Sequence, residues 1–185
     1  ARIEGEHRRV LEVLDERLLG DFPETNGSDS WQKWIFQHNW LFGVNYGDPI
    51  EKARINVTGV MPDFLFPSAD GFVDLLEIKL PNDAVIVEGD HVGSWKWSRE
   101  ANEAIGQVVN YLGEIDRLRL EIEREIRRVY GITSLLLKPR AFVLIGNSEE
   151  WHTDNPQKKQ EKMEGLRKLN YVLHGVEVLT LCLYS

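Results

Sequence analysis

Met61–Pro81, MPDFLFPSADGFVDLLEIKLP, decides how the chain folds. Two apolar runs flank Ser68-Ala69-Asp70-Gly71, whose composition is that of a tight turn, so the stretch predicts a β-hairpin. Pro62 and Asp63 stand at the mouth of the first run and Glu77-Ile78-Lys79 lies in the second. The period-2 geometry of a strand puts Glu77 and Lys79 on one face and turns Ile78 to the other. The second run reads as an interior strand, and such strands rarely carry two charges that nothing uses. The bland alternative is an ordinary ion pair on a solvated face.

The chemistry that wants this arrangement is metal-assisted hydrolysis of a phosphodiester. Asp63 and Glu77 offer hard oxygen ligands suited to Mg²⁺, with Mn²⁺ as a substitute, and the backbone carbonyl of Ile78 is a third candidate ligand. Lys79 beside the metal could orient or deprotonate the attacking water, as a lysine with a lowered pKa can, and stabilise charge on the phosphorane. The pattern resembles the PD-(D/E)xK nuclease superfamily, and Asp63, Glu77 and Lys79 fill every position of its motif. That likeness implies a restriction-endonuclease-like α/β fold, a mixed sheet flanked by helices on both faces.

Composition bounds the rest. The 185 residues suffice for one domain with a sizeable core. A net charge of -8 argues against general nucleic-acid binding, so DNA contact is expected from bound metal, a local basic patch or a part of the protein outside this sequence. The single cysteine, Cys182, reads as a core residue and excludes a disulfide within the chain. No membrane span, secretory signal or lipidation signal is present, and the expected compartment is the cytoplasm.

Ile3–Leu19 reads as an amphipathic helix, with Val10, Leu14 and Leu18 spaced on one face, and Gly20–Gly27 interrupts the chain. Residues 1–27 are accordingly set apart as a helix that is either a connector to a further domain or part of the fold, and 28–185 as the nuclease domain. Ser28-Asp29-Ser30 caps a helix over Trp31–Trp40, whose Trp31, Trp34, Ile35 and Trp40 are expected in the core. Arg54–Thr58 alternates as a strand.

Asp83–Glu88 reads as a short strand and Gly89–Ser98 as a loop carrying His91, Trp95, Lys96 and Trp97. This loop either contacts substrate, through Lys96 and the neighbouring Arg99, or docks its tryptophans into the core. Ser98 caps a helix that runs to about Val129, with Gly131 as its stop. About thirty residues make ~45 Å of helix. Its apolar stripe continues through Ile122 and Ile126, so its C-terminal half is expected to leave the core for a partner helix, giving a homo-oligomer. On this helix Gln107 and Tyr111 stand one turn apart, flanking the stripe. Members of the PD-(D/E)xK superfamily that act on DNA ends, junctions or in repair carry such a Gln-x-x-x-Tyr after the catalytic strands. The resemblance adds Gln107 to the catalytic set and Tyr111 to the substrate contacts.

Ala141–Gly146, Pro156–Asn170 and Val176–Leu183 read as strand, helix and strand, a βαβ unit. The succession WQKWIFQHNWLFG (31–43), PDFLF (62–66), DLLEIKLP (74–81), Gln107 with Tyr111, KPRAFVLIG (138–146) and LRKLNYVLHGVEVLT (166–180) resembles the C-terminal nuclease domain of Shedu anti-phage defence proteins. The likeness implies cleavage or nicking of phage DNA, a regulatory N-terminal region and assembly into a dimer or tetramer. Superfamily members often add an acid on the first core helix. Trp31–Trp40 holds no Glu and Asp29 stands at the cap, so that role is left open. The rival readings are a catalytically silent DNA-binding sensor and a structural oligomerisation domain.

Overall fold

The computed structural model describes residues 2–43, 45–51, 62–148, 151 and 155–181. Its elements follow in the order α1 (Arg2–Leu18), α2 (Trp31–Gln37), β1 (Ile50–Glu51), β2 (Phe64–Pro67), β3 (Val73–Ile78), β4 (Ile86–Glu88), β5 (Trp95–Trp97), α3 (Arg99–Tyr130), β6 (Ala141–Asn147), α4 (Pro156–Tyr171) and β7 (Val176–Leu181). The strand expected at Arg54–Thr58 and the core role expected for Cys182 lie outside the described residues.

Five strands form one mixed sheet in the order β1-β2-β3-β6-β7. β1, β2 and β3 are antiparallel, whereas β6 lies parallel to β3 and β7 parallel to β6. The β2–β3 hairpin closes where the sequence predicts, with Ser68 N–H on Phe72 O at 2.8 Å and Gly71 at φ 87°. β3 is the central strand and is buried along its whole length.

Alternation of side chains builds a core on each face of the sheet. Leu65, Val73, Leu75, Ala141, Val143, Ile145, Val176 and Val178 pack against α3, while Phe64, Phe66, Leu76, Ile78 and Leu144 pack against α1 and α2. Helices therefore cover both faces, a restriction-endonuclease-like arrangement. Leu14 and Leu18 of α1 belong to the second core, so this helix packs on the domain.

Three local expectations are corrected. First, α2 ends at Gln37 and a 3₁₀ turn covers Asn39–Phe42. His38 Nδ1 sits 2.7 Å from Trp34 O, occupying a terminal carbonyl of the helix. Trp40 is thereby carried out of the core and stacks on His7, with ring centroids 4.1 Å apart. Second, Gly89–Ser98 is not all loop, because Trp95–Trp97 pairs antiparallel with Ile86–Glu88 as a separate two-stranded sheet. Trp95 lies so close to α4 that a Cβ on Gly165 would come within 2.6 Å of its ring. Of the two roles left open for this segment, the tryptophans take the packing one.

Third, the C-terminal half of α3 stays in the core. The helix breaks its regular geometry at Leu118, where φ is -115° and ψ 19°, and beyond that point Ile122 and Ile126 are both 0 % exposed. Leu136 closes over them, its N–H donating to Glu123 Oε1 at 2.8 Å. The break lets a 32-residue helix follow the domain instead of projecting from it. The surface expected to recruit a partner helix is thus already buried. Gly131, at φ 68°, ends the helix as predicted.

An ionic knot ties the antiparallel half of the sheet to the parallel half. The buried carboxylate of Asp74 on β3 accepts from Arg140 N at 2.9 Å, from Arg140 Nη2 at 2.6 Å and from Tyr46 Oη at 2.8 Å.

Candidate active site

The β2–β3 register pairs Phe64 with Leu76 and Leu65 with Leu75. Continued by one residue, it sets Asp63 opposite Glu77, on the face that carries Leu65, Val73 and Leu75. Both carboxylates are buried, at 8 % and 4 % exposure. Asp63 Oδ2 accepts from Ile78 N–H at 2.9 Å, taking the place of the next backbone rung of the ladder. In an antiparallel pair the N–H and C=O of one residue face the same neighbour, so the Ile78 carbonyl points toward Asp63 as well.

Lys79 N–H bonds Leu144 O at 2.8 Å, and its ammonium lies 3.1 Å from Glu77 Oε1. On its other side stands Glu24 Oε1, 3.8 Å away. Burial pulls the ammonium toward its neutral form, but Glu77, Glu24, Asp63 and the hydrogen bond to Glu77 outweigh it and hold Lys79 above its ordinary value. The direction is opposite to the lowered lysine considered from sequence. Held in its charged form by these acids, the Lys79 ammonium is placed to orient water and to offset negative charge.

Tyr111 enters the same cluster from α3. Burial, followed by the charges of Glu77, Asp63 and Glu24, pushes its phenol up to about 12. Asp83, just past β3, is raised chiefly by burial and further by Glu100, against the opposing influence of the Leu80 backbone and Lys79. Acidic groups thus surround the Lys79 ammonium from several elements.

Asp63, Glu77, Ile78, Lys79 and Tyr111 are therefore brought together, whereas three other candidates are not. Gln107 is exposed on α3 and makes no hydrogen bond among the described residues. Lys96 pairs with Asp90 at 3.4 Å, and Arg99 pairs with Glu100 at 3.3 Å and Glu103 at 3.8 Å. Neither makes an ion pair with Asp63 or Glu77. Asp29 is engaged with Arg17 at 2.5 Å and takes no part in the site. The acid that sequence reasoning missed is Glu24, inside the Gly20–Gly27 stretch read only as an interruption. No spacing signals it, because the loop reaches the sheet through tertiary packing. Its carbonyl accepts from Gln32 N–H at 3.1 Å and the carbonyl of Pro23 from Trp31 N–H at 2.9 Å, which fastens the loop to the start of α2.

Among the described residues, no three His, Cys, Asp or Glu side chains form a complete metal cage. Mg²⁺ does not need one, since it takes one or two carboxylates and fills its octahedron with water and phosphate oxygens. Two buried carboxylates facing each other beside a directed carbonyl fit that requirement.

Among the described residues, no helix is long and apolar enough to cross a membrane. No curated protein matches the chain. A family model does: the one described as Shedu protein SduA, C-terminal, matches residues 27–181, which include Asp63, Glu77, Lys79 and Tyr111. The chain belongs to this Shedu C-terminal family and so to anti-phage defence.

Proposed function

We propose that the chain is a metal-dependent deoxyribonuclease that cuts or nicks phage DNA by the chemistry of the PD-(D/E)xK superfamily. The observation that carries this reading is the facing pair of buried carboxylates, Asp63 and Glu77, with the Lys79 ammonium 3.1 Å from the latter. Two hard carboxylates meeting on one buried face beside an ammonium are the donor set that a divalent cation takes for phosphate chemistry.

Asp63, Glu77 and the Ile78 carbonyl would hold Mg²⁺ or Mn²⁺. The ion, when bound, polarises the phosphoryl oxygen and makes a coordinated water acidic. Lys79, kept charged by its neighbours, would orient the attacking water and offset negative charge on the phosphorane. Glu24 is the carboxylate placed beside Lys79 to accept the water's proton. Tyr111, with its pKa near 12, keeps its proton at neutral pH and can donate to a phosphate oxygen. Gln107, one turn away and exposed, is placed to contact bound DNA.

The test is cleavage of linear and supercoiled DNA with Mg²⁺, with Mn²⁺ and with EDTA. Metal-dependent cutting that Glu77→Gln abolishes is expected. Cutting that persists in EDTA, or that Glu77→Gln leaves intact, would refute the assignment.

A further inference from the structure

A cavity of about 440 Å³ opens on Asp63 from the side of α2. Thr25, Ser30, Gln32, Lys33 and Glu51 line it together with Asp63. Its volume falls among those of small-ligand pockets, ~300 to 1,000 Å³, so it can admit one segment of a strand and not a duplex. Two of its walls offer hydrogen-bond donors. Lys33 is the cation of the cavity, and among the described residues its ammonium has no ion-pair partner. By contrast Lys96 and Arg99, the basic residues chosen from sequence, are already paired with acids on exposed surface. The second wall is the Gln32 side chain, whose Nε2 is shielded from solvent and has no hydrogen-bond acceptor among the described residues. A shielded donor of this kind favours a ligand that brings an acceptor oxygen to it.

We infer that Lys33 and Gln32 form a phosphate site for the DNA strand next to the scissile bond, reached through the cavity that ends at Asp63. This rests on the nuclease reading above and adds to it the place where the backbone is gripped. Lys33 supplies the charge and Gln32 a neutral, directional donor. Glu51 and Asp63 on the same wall would repel a bare phosphate, so metal bound at Asp63 and the Lys33 ammonium act together to reverse the local field. Glu24 and Gln32 are held by one backbone hydrogen bond of 3.1 Å, which couples the grip on the strand to the carboxylate beside Lys79.

The experiment uses the whole chain and a fluorescent DNA duplex. Anisotropy is measured with Ca²⁺ in place of Mg²⁺ over a salt series, and steady-state cleavage with Mg²⁺. Lys33→Ala is expected to weaken binding several-fold and to lower the slope of log affinity against log salt by about 1, while Lys33→Arg restores both. Gln32→Leu, which keeps the volume and removes the donor, should raise KM with kcat little changed and leave the salt slope untouched. Calorimetric Mn²⁺ binding should be the same in all variants, which separates this grip from the metal site. DNA cleavage by the unaltered chain, with affinity and salt slope unchanged in Lys33→Ala and KM unchanged in Gln32→Leu, would overturn the phosphate site alone. An unaltered chain that neither binds nor cuts DNA would overturn the nuclease reading and the phosphate site with it.

Discussion

Asp63 Oδ2 accepts the Ile78 N–H at 2.9 Å, so the same carboxylate that faces Glu77 also ends the β2–β3 ladder. Structural and chemical roles coincide in this side chain and can be pulled apart. Asp63→Ala leaves a buried backbone donor unsatisfied and should cost ~1–3 kcal/mol of stability as well as metal affinity. Glu77→Gln keeps the shape of its side chain and should lose metal affinity with a smaller change in Tm. Calorimetric Mn²⁺ titration and thermal melts on both variants check the split; equal Tm losses would contradict it.

Lys79 carries a signed pH dependence. Its pKa in the folded chain is raised, so the stability its ion pairs contribute is fully present below the unfolded value of 10.5 and is lost as pH rises through the higher folded value. Lys79→Met should flatten the alkaline limb of a stability–pH curve. In cleavage it should slow the reaction by roughly 10²- to 10⁴-fold while metal binding survives. A cleavage rate that rises as Lys79 loses its proton would instead make it the base.

The Arg17 guanidinium is almost wholly buried, stacked 4.0 Å over Phe22 and 4.9 Å from the Trp31 ring, and it bonds the carboxylate and carbonyl of Asp29. It fastens α1 to the loop that delivers Glu24. Arg17→Ala should cost ~1–3 kcal/mol through lost packing and cation–π contact. Asp29→Ala, at the exposed end of the pair, should cost ~0–1 kcal/mol. Denaturant melts of the two variants decide the order, and cleavage should fall with Arg17→Ala as the Glu24 loop loosens.

Ile122→Asp and Ile126→Asp should unfold the chain instead of separating its copies. Each buries a charge where exposure is 0 %, a change expected to exceed ~4 kcal/mol. Leu120→Glu, on the exposed side of the same helix, is the control and should fold normally by circular dichroism.

The hairpin, the long helix with its Ser98 and Gly131 ends and the closing βαβ unit were legible because each rests on local periodicity and turn chemistry. The central carboxylates were legible for the same reason, as charges at odds with an apolar strand. Glu24, the cavity at Lys33 and the break at Leu118 were not. Each depends on which distant segment lies alongside, and a stripe such as Ile122 with Ile126 reads identically whether it faces its own sheet or another molecule. The sign of the Lys79 shift was equally hidden, since Glu24 is what completes its cage of acids.

The knot between Asp74 and Arg140 joins positions 66 residues apart, with all of α3 in between. Its consequence is an order of assembly. The hairpin of β2 and β3 can form as soon as it leaves the ribosome, but the other edge of β3 has no neighbour until β6 has been made. Contacts of such separation slow folding, and a bare strand edge invites pairing with other chains in the interval. The strand that carries Glu77 is therefore flanked on both edges only after α3 and β6 have been made, so the face on which Asp63 and Glu77 meet is assembled from its two sides at different times.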